Sequence, residues 1–260
     1  MTDLERYSRQ ILFENVGREG QERLRTGRVV LAGCGALGSV SASLLVRAGV
    51  GRVRIIDRDV IELNNLQRQM LYDEEDVRAG LPKAEAAAGK LRRINSDVEI
   101  EACVDDVKAD NAEKLLGGFD LVIDATDNSE TRYLINDFAV KTGTTWIYAA
   151  VAGARGGTMT VIPGETPCLR CIFEEPPPPG GLPTAQTDGI IGPAVAVVAS
   201  LQVTEALKLL LGRTGELRKG LLTVDLWQGT FRTTFAGPGA RNPDCPACGR
   251  RVFEFLDVAT

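Results

Sequence analysis

The sequence predicts an α/β protein with a Rossmann-like, doubly wound, mostly parallel sheet and a C-terminal extension held together by a structural zinc ion. Apolar runs typical of buried strands alternate with helical patterns between Val29 and Ala149, the order that builds parallel strands joined by crossover helices. Beyond that region, two C-x-x-C pairs supply four candidate metal ligands.

The first strand and helix carry the most informative pattern. The apolar run that starts at Val29 leads into Gly33-Cys34-Gly35-Ala36-Leu37-Gly38, then into an amphipathic helix, and then into a second strand that ends at Asp57. A tight turn, a close approach to phosphate and close helix packing each favour one of the three glycines, Gly33, Gly35 and Gly38. Asp57 follows 19 positions after Gly38, where a carboxylate can accept hydrogen bonds from ribose. The stretch predicts a nucleotide site.

The elements that follow repeat the alternation. Pro82-Lys83 opens an alanine-rich helix that runs to about Asn95, because proline is tolerated at a helix start. Strands are then predicted at 98–104, 121–123 and 146–149, with a short helix capped by Asp110 and a helix over 129–142 between them. Asp127 follows a buried strand and is expected at the same sheet edge as the glycine loop.

The second half is less regular. A strand is expected over 157–162, a long apolar helix over 192–211, and short strands near Leu222, Phe231 and Phe253. Polar residues within the long helix indicate a core or dimer helix and not a membrane span. The loop Pro176–Gly181 has no assigned role.

Composition narrows the function. The net charge of -5 gives no reason to expect nucleic acid, and no apolar run or secretory signal indicates a membrane, so we expect a cytoplasmic protein. Histidine is absent, which excludes Ser-His-Asp and Cys-His mechanisms.

Four of the six cysteines are predicted to bind one structural metal ion. In a reducing compartment, C-x-x-C pairs indicate metal ligands before disulfides. Zinc is favoured over an iron–sulfur cluster because Pro246 lies in a knuckle-like turn. The ligands are Cys168, Cys171, Cys245 and Cys248.

Polar residues beyond the strand ends are of types that handle phosphate and magnesium: Asp57, Asn65, Arg68, Lys83 and Asp127. A nicotinamide-dependent dehydrogenase would use the glycine loop and Asp57 equally well. It would leave Arg68, Lys83 and Asp127 unexplained. A non-catalytic scaffold of the same fold would not need these residues.

Along essentially its whole length the chain resembles the ThiF/MoeB/HesA family, bacterial relatives of ubiquitin-activating enzymes. The matching segments are Arg6-Tyr7-Ser8-Arg9-Gln10, the glycine loop, Asn65-Leu66-Gln67-Arg68-Gln69, Pro82-Lys83, Thr126-Asp127-Asn128 and both cysteine pairs. The resemblance implies ATP-dependent adenylation of the C-terminal glycine of a ubiquitin-like sulfur-carrier protein ending in Gly-Gly.

The resemblance also implies roles for single residues. Asp57 would hold the ribose, Asp127 a Mg²⁺ ion, and Asn65, Arg68 and Lys83 the triphosphate of ATP. Arg9 would reach the phosphates of the neighbouring subunit in a homodimer. Arg9, Arg68, Lys83 and Asp127 would thus act in catalysis.

Three features depart from the family pattern. The approach to Lys83 is two residues longer than usual. Ala185 stands where many relatives carry a cysteine, and the chain reaches Thr260 without a rhodanese domain. A separate persulfide-carrying protein is therefore expected to deliver sulfur.

We expect a single adenylation domain over 1–260, with the nucleotide part at about 26–150 and the carrier-binding and zinc part at about 151–260. A relative that adenylates a small molecule or a tRNA base remains an alternative, although the acidic charge disfavours tRNA.

Overall fold

A computed structural model describes residues 4–178, 181, 184–235 and 240–257. Its centre is one eight-stranded sheet with the strand order β3-β2-β1-β4-β5-β6-β7-β8. The strands are β1 Arg28–Ala32, β2 Arg52–Ile56, β3 Glu99–Cys103, β4 Leu121–Asp124, β5 Trp146–Ala152, β6 Arg155–Val161, β7 Leu221–Asp225 and β8 Thr230–Thr234.

Nine helices are assigned within the described residues. They are α1 Ser8–Ile11, α2 Gly17–Thr26, α3 Ala36–Ala48, α4 Glu74–Ala79, α5 Lys83–Ile94, α6 Ala112–Leu116, α7 Ser129–Thr142, α8 Leu169–Ile172 and α9 Gly192–Leu210. Single 3₁₀ turns lie at Glu5–Tyr7, Leu63–Asn65 and Thr214–Glu216.

The first five strands are parallel and doubly wound, as predicted. β1 pairs with β2 on one side and β4 on the other, while β3 and β5 extend the sheet outward. The order in which strands are added to the sheet therefore reverses at β1: β2 and β3 lie on one side of it, and β4 and β5 on the other. Ligands bind at such switch points, beyond the carboxyl ends of the strands. The loops after β1, β2 and β4 all leave the sheet at that edge.

Side chains alternate between two core layers. On β1, Val29 and Leu31 pack toward α3, α5 and α9, whereas Val30 and Ala32 pack toward α6 and α7. Both faces are covered, which explains why these strands read as continuous apolar runs and not as alternating ones.

The last three strands are antiparallel. β5 runs into β6 through a tight connection, and β7 and β8 complete the sheet. β8 is exposed along its length and forms an edge. The fold is thus a mostly parallel sheet with an antiparallel continuation.

Helix α9 is long and apolar enough to cross a membrane by composition alone, but it packs against α3, β5 and β6 in the core. Its Gln202 is fully buried and donates hydrogen bonds to the carbonyls of Asp124 and Ile147, at 2.7 and 2.9 Å. The expectation of a core helix is confirmed.

Three local expectations need correction. The short helix α6 has Asn111 and not Asp110 at its N-cap position, and the Asn111 side chain caps no helix N–H because it accepts from Lys108 N–H and donates to the Asp106 carbonyl in the preceding turn. Phe253 lies in a turn whose Phe255 N–H donates to Asp137, so this segment is held by α7 and not by a sheet. Helix α4 was not anticipated. In the loop Pro176–Gly181 and in the segment after it, residues 179–180 and 182–183 lie outside the described residues.

Candidate functional site

The glycine loop connects β1 to α3. Gly33 has a φ of +91°, and a Cβ there would lie 2.6 Å from the carbonyl oxygen of Ala125. A Cβ on Gly38 would collide with the carbonyl of Gly33, whereas one on Gly35 would meet only Gln69 Nε2, at 3.6 Å. Two glycines are thus required by packing, and the third leaves an open side at the start of α3, where backbone N–H groups can receive an anion.

Asp57 follows β2 and faces this loop. Its Oδ2 accepts a hydrogen bond from the Cys34 N–H at 2.7 Å, and its Oδ1 accepts one from the Asp59 N–H at 2.9 Å. Burial raises the pKa of Asp57, and these two bonds oppose that shift. Each oxygen keeps a second lone pair for a ribose hydroxyl.

Lys83 begins α5 and is buried. Its backbone N–H donates to the carbonyl of Asp59, and its Nζ lies 2.8 Å from Asp59 Oδ2. The longer approach to Lys83 contains α4 and the left-handed Gly80, and it still delivers the lysine beside the glycine loop. Asp59 is only two positions after Asp57, so the ammonium that pairs with Asp59 also lies near the Asp57 carboxylate.

The segment 64–69 lies between the glycine loop and α9. Asn65 is buried and its Oδ1 accepts the N–H of Glu62 at 3.2 Å. Arg68 is partly exposed and donates to the carbonyl of Asn64 at 2.8 Å. Gln69 is buried, its Oε1 has no hydrogen-bond partner among the described residues, and its Nε2 is the atom that lies beside Gly35.

The loop after β4 carries Asp127. Just before it, the fully buried Asp124 accepts two hydrogen bonds from Thr126 and lies 3.3 Å from Nε of Arg132. Arg132 in turn donates to the carbonyl of Thr126 at 2.7 Å. Asp127 itself is exposed, and its carboxylate has no partner among the described residues. The anchored turn therefore presents a free carboxylate at the sheet edge.

Arg9 differs from the other residues predicted to bind the nucleotide, because it does not lie near the glycine loop of its own chain. Its neighbours Tyr7 and Gln10 contact Gly49 and Ala48, at the C-terminal end of α3. The glycine loop lies at the other end of that 13-residue helix, roughly 20 Å away at 1.5 Å per residue. An arginine side chain cannot span this distance.

The four cysteines meet as predicted. Their sulfur atoms all lie within 4.8 Å of one another, with separations of 3.5 Å for Cys168 and Cys245 and 3.3 Å for Cys171 and Cys248. Sulfurs around a tetrahedral zinc with bonds of about 2.3 Å lie roughly 3.8 Å apart. The donor set fits a closed four-coordinate ion.

A buried arginine borders this cluster. Arg170, 1% exposed, lies between the first two cysteines, donates to Glu254 at 2.8 Å and lies 5.4 Å from the ring of Phe255. Arg170 thus links the turn that holds Cys168 and Cys171 to the segment that follows Cys248.

Sequence reasoning missed Asp59, Tyr72, Gln69 and the Asp124–Arg132 pair. The D-x-D spacing after β2 is a local signal that could have indicated Asp59. The other contacts join residues far apart in sequence, which no local pattern shows.

Comparison with known protein families matches residues 7–247 to the ThiF family. The chain belongs to the ThiF family. This ThiF-family chain is 49% identical over 251 residues to the sulfur carrier protein ThiS adenylyltransferase of Bacillus subtilis, covering 96% of the chain and 73% of that relative. It is 42% identical over 248 residues to the SAMP-activating enzyme E1 of Haloferax volcanii, covering 95% and 90%.

Among solved structures, E. coli MccB with MccA-N7isoASN superposes on this ThiF-family chain with a TM-score of 0.82. The sequence identity is 23%, and the match covers 94% of this chain and 75% of that one. At this identity the likeness shows the fold. The resemblance drawn from the sequence motifs is confirmed.

Proposed function

We propose that this protein uses ATP to adenylate the C-terminal glycine of a ubiquitin-like sulfur-carrier protein, with release of pyrophosphate. The observation that carries the proposal is the hydrogen-bonded group of the glycine loop, Asp57 and Lys83 in a ThiF-family chain. The names of the Bacillus and Haloferax relatives, an adenylyltransferase and an activating enzyme, support it. Family membership removes the support for a nicotinamide-dependent dehydrogenase.

Each site residue has a role in this proposal. Asp57 binds the ribose, and the loop of Gly33, Gly35 and Gly38 lines the phosphates with its open side at Gly35, where α3 begins. Asn65, Arg68 and Lys83 bind the triphosphate, because two cations and an amide donor neutralise and orient its oxygens. Asp127 holds Mg²⁺, for which a free carboxylate beside phosphates is a suitable ligand.

The reaction needs no general base. The carrier's terminal carboxylate is already ionised, so its oxygen forms a bond to the α-phosphorus while the bond to the pyrophosphate oxygen breaks. Negative charge grows on the leaving pyrophosphate, and positive groups aimed at it lower the barrier. Mg²⁺ supplies further charge neutralisation along the phosphates when bound. The lack of histidine is compatible with this chemistry.

The remaining partners follow from the same proposal. Zinc on Cys168, Cys171, Cys245 and Cys248 is structural, since four protein ligands leave no open position. The protein acts as a homodimer in which Arg9 serves the neighbouring site, which accords with its place at the far end of α3. Residues 26–150 bind the nucleotide, and residues 151–260 bind the carrier and zinc. Sulfur arrives from a separate persulfide-carrying protein.

The test is exchange of labelled pyrophosphate into ATP by the purified protein. Exchange should require a ubiquitin-like protein ending in Gly-Gly, and deletion of the terminal glycine should abolish it. Asp127→Ala and Arg68→Ala should each reduce the rate by about 10²-fold or more. Asp97→Ala removes an exposed aspartate at the start of β3, the opposite sheet edge, and should have no effect.

Two outcomes would contradict the proposal. One is exchange that proceeds with a small acid or a tRNA but with no Gly-Gly protein of the source genome, which would assign another class of substrate. NAD binding without ATP-dependent exchange would assign another reaction.

A further inference from the structure

Tyr72 is a buried tyrosine that none of the proposed roles uses. It is 7% exposed and sits between the glycine loop and the start of α5. Its hydroxyl lies 2.7 Å from the carbonyl oxygen of Cys34 and 3.2 Å from that of Lys83. One side chain thus contacts both the glycine loop, at Cys34, and the backbone of the buried lysine, Lys83.

These contacts complete a closed ring of polar contacts, in which the single hydroxyl proton of Tyr72 is donated mainly to the nearer carbonyl, that of Cys34. Cys34 N–H donates to Asp57, whose other oxygen accepts the N–H of Asp59. The Asp59 carbonyl and carboxylate accept the backbone N–H and the Nζ of Lys83. Tyr72 joins Lys83 back to Cys34, and no other described side chain makes that connection.

The ring fixes three parts of the site relative to one another. It joins the loop after β1, the loop after β2 and the first residue of α5, which are separate in sequence. Tyr72 holds its place through its hydroxyl, because burial raises its pKa and keeps the proton that it donates.

We propose that Tyr72 is a positioning residue for ATP, holding the Cys34 carbonyl and Lys83 so that the glycine loop and the lysine ammonium bind the same triphosphate. The inference rests on the proposed function for its ligand. It assigns Tyr72 no contact with ATP. Removal of the hydroxyl is therefore expected to act through the loop and the lysine, and to weaken ATP binding before it affects binding of the carrier.

The chain offers a matched control. Tyr133 is also buried, and its hydroxyl lies 2.8 Å from the carbonyl of Phe173 and 2.7 Å from that of Glu175. It makes the same kind of bridge next to the cysteine cluster. Tyr72→Phe and Tyr133→Phe each remove one hydroxyl between two carbonyls, so both should lower the melting temperature to a similar extent.

The first measurement is equilibrium binding of ATP to the full chain without carrier. Tyr72→Phe should raise the Kd by up to about tenfold, the limit reached when ATP must reorder a loop that the loss of one hydrogen bond has released. Tyr133→Phe should leave the Kd unchanged. In the exchange assay, Tyr72→Phe should raise the KM for ATP and leave the KM for the carrier unchanged.

The second measurement follows the loop itself. Cys34 is fully buried and burial raises the pKa of its thiol to about 12, so a thiol reagent modifies it only when the loop opens. Cys103 is partly exposed and serves as the internal reference. Peptide mapping should show a severalfold higher ratio of Cys34 to Cys103 modification in Tyr72→Phe, suppressed by ATP, and no change in Tyr133→Phe.

Equal ATP affinities for the two variants, or an unchanged Cys34 ratio in Tyr72→Phe, would overturn the role of Tyr72 and leave the proposed function intact. A wild-type protein that binds no ATP would overturn both.

Discussion

The Nζ of Lys83 lies 2.8 Å from Oδ2 of Asp59. The lysine side chain is 9% exposed, whereas that of Asp59 is 56% exposed. A buried ammonium needs a counter-ion, and Asp59 supplies it before any phosphate arrives. A triphosphate that binds Lys83 must therefore compete with this carboxylate.

The first prediction concerns that competition. Asp59→Asn should lower the Kd for ATP severalfold, since it removes the competing charge but keeps the backbone bond from Lys83. The gain should vanish in the double variant with Lys83→Met, which calorimetry can establish as a thermodynamic cycle. Weaker ATP binding by Asp59→Asn would mean that the carboxylate supports Lys83 in the bound state.

A second prediction concerns Arg9. Mixed dimers of Arg9→Ala and Asp127→Ala subunits should regain exchange activity, because one of their two sites has both residues intact. Arg18→Ala, at another exposed arginine near the N-terminus, should remain active on its own. If mixed dimers form and stay inactive, Arg9 does not act across subunits.

A third prediction concerns the metal. The protein should contain one zinc per chain, and a chelator should lower its melting temperature because metal binding and folding are coupled. Cys171→Ser should lose zinc, whereas Cys103→Ser should keep it. Metal analysis that finds iron with visible absorbance, or a well-folded chain without metal, would refute the assignment.

A fourth prediction concerns pH. Burial raises the pKa of Asp137 to about 6, above the value of about 3.9 for an unfolded aspartate. Between these values the folded state binds more protons than the unfolded state, so this residue's contribution to stability is lost as pH rises. Asp137→Asn should therefore gain stability relative to wild type as the pH rises from about 4 to about 6, and should keep that gain at higher pH.

Denaturant unfolding at several pH values measures this difference. Asp97→Asn, at an exposed aspartate before β3, serves as the control substitution. A flat difference for Asp137→Asn would show that Asp137 does not titrate in this range.

A fifth prediction is that no cysteine of this chain captures the carrier. A capturing thiol must be exposed and have a lowered pKa. Burial raises the pKa of Cys34 to about 12, and burial followed by the Glu101 charge raises that of Cys103. The other four cysteines form the cluster, and position 185 is an alanine.

Gels run with and without reductant, after incubation with ATP and carrier, test this. We expect no reductant-sensitive adduct. An adduct that disappears in Cys34→Ala or Cys103→Ala would contradict the prediction.

The sequence allowed prediction of features with local causes. The glycine loop, the start of α5 after Pro82 and the cysteine pairs each depend on a few adjacent residues. The doubly wound, mostly parallel sheet followed from the alternation of strands with helices. The Asp110 cap was wrong because the Asn111 side chain closes the turn before α6, which puts Asn111 at the N-cap position without a capping hydrogen bond.

Two kinds of feature were not predicted: a helix with an unusual capping pattern, and contacts between elements far apart in sequence. Helix α4 begins with Asp73 and Asp76 in a capping box, a variant of the usual Ser/Thr and Glu pattern. The bond from Gln202 to Asp124 and the contact of Tyr72 with Cys34 depend on how remote elements pack. Gln202 and Tyr72 are polar and buried and belong to no recognised motif, yet their hydrogen bonds connect the elements that form the site.

The cysteine cluster also bears on the order of folding. Its two pairs stand 77 positions apart in sequence, and β7, β8 and α9 lie between them. Contacts between such distant segments form after the intervening chain has organised, since closing a long loop costs entropy. On the proposed zinc assignment, a newly made chain captures the metal as one of the last steps of folding, so a shortage of zinc should leave molecules with a formed sheet and an incompletely folded C-terminal segment.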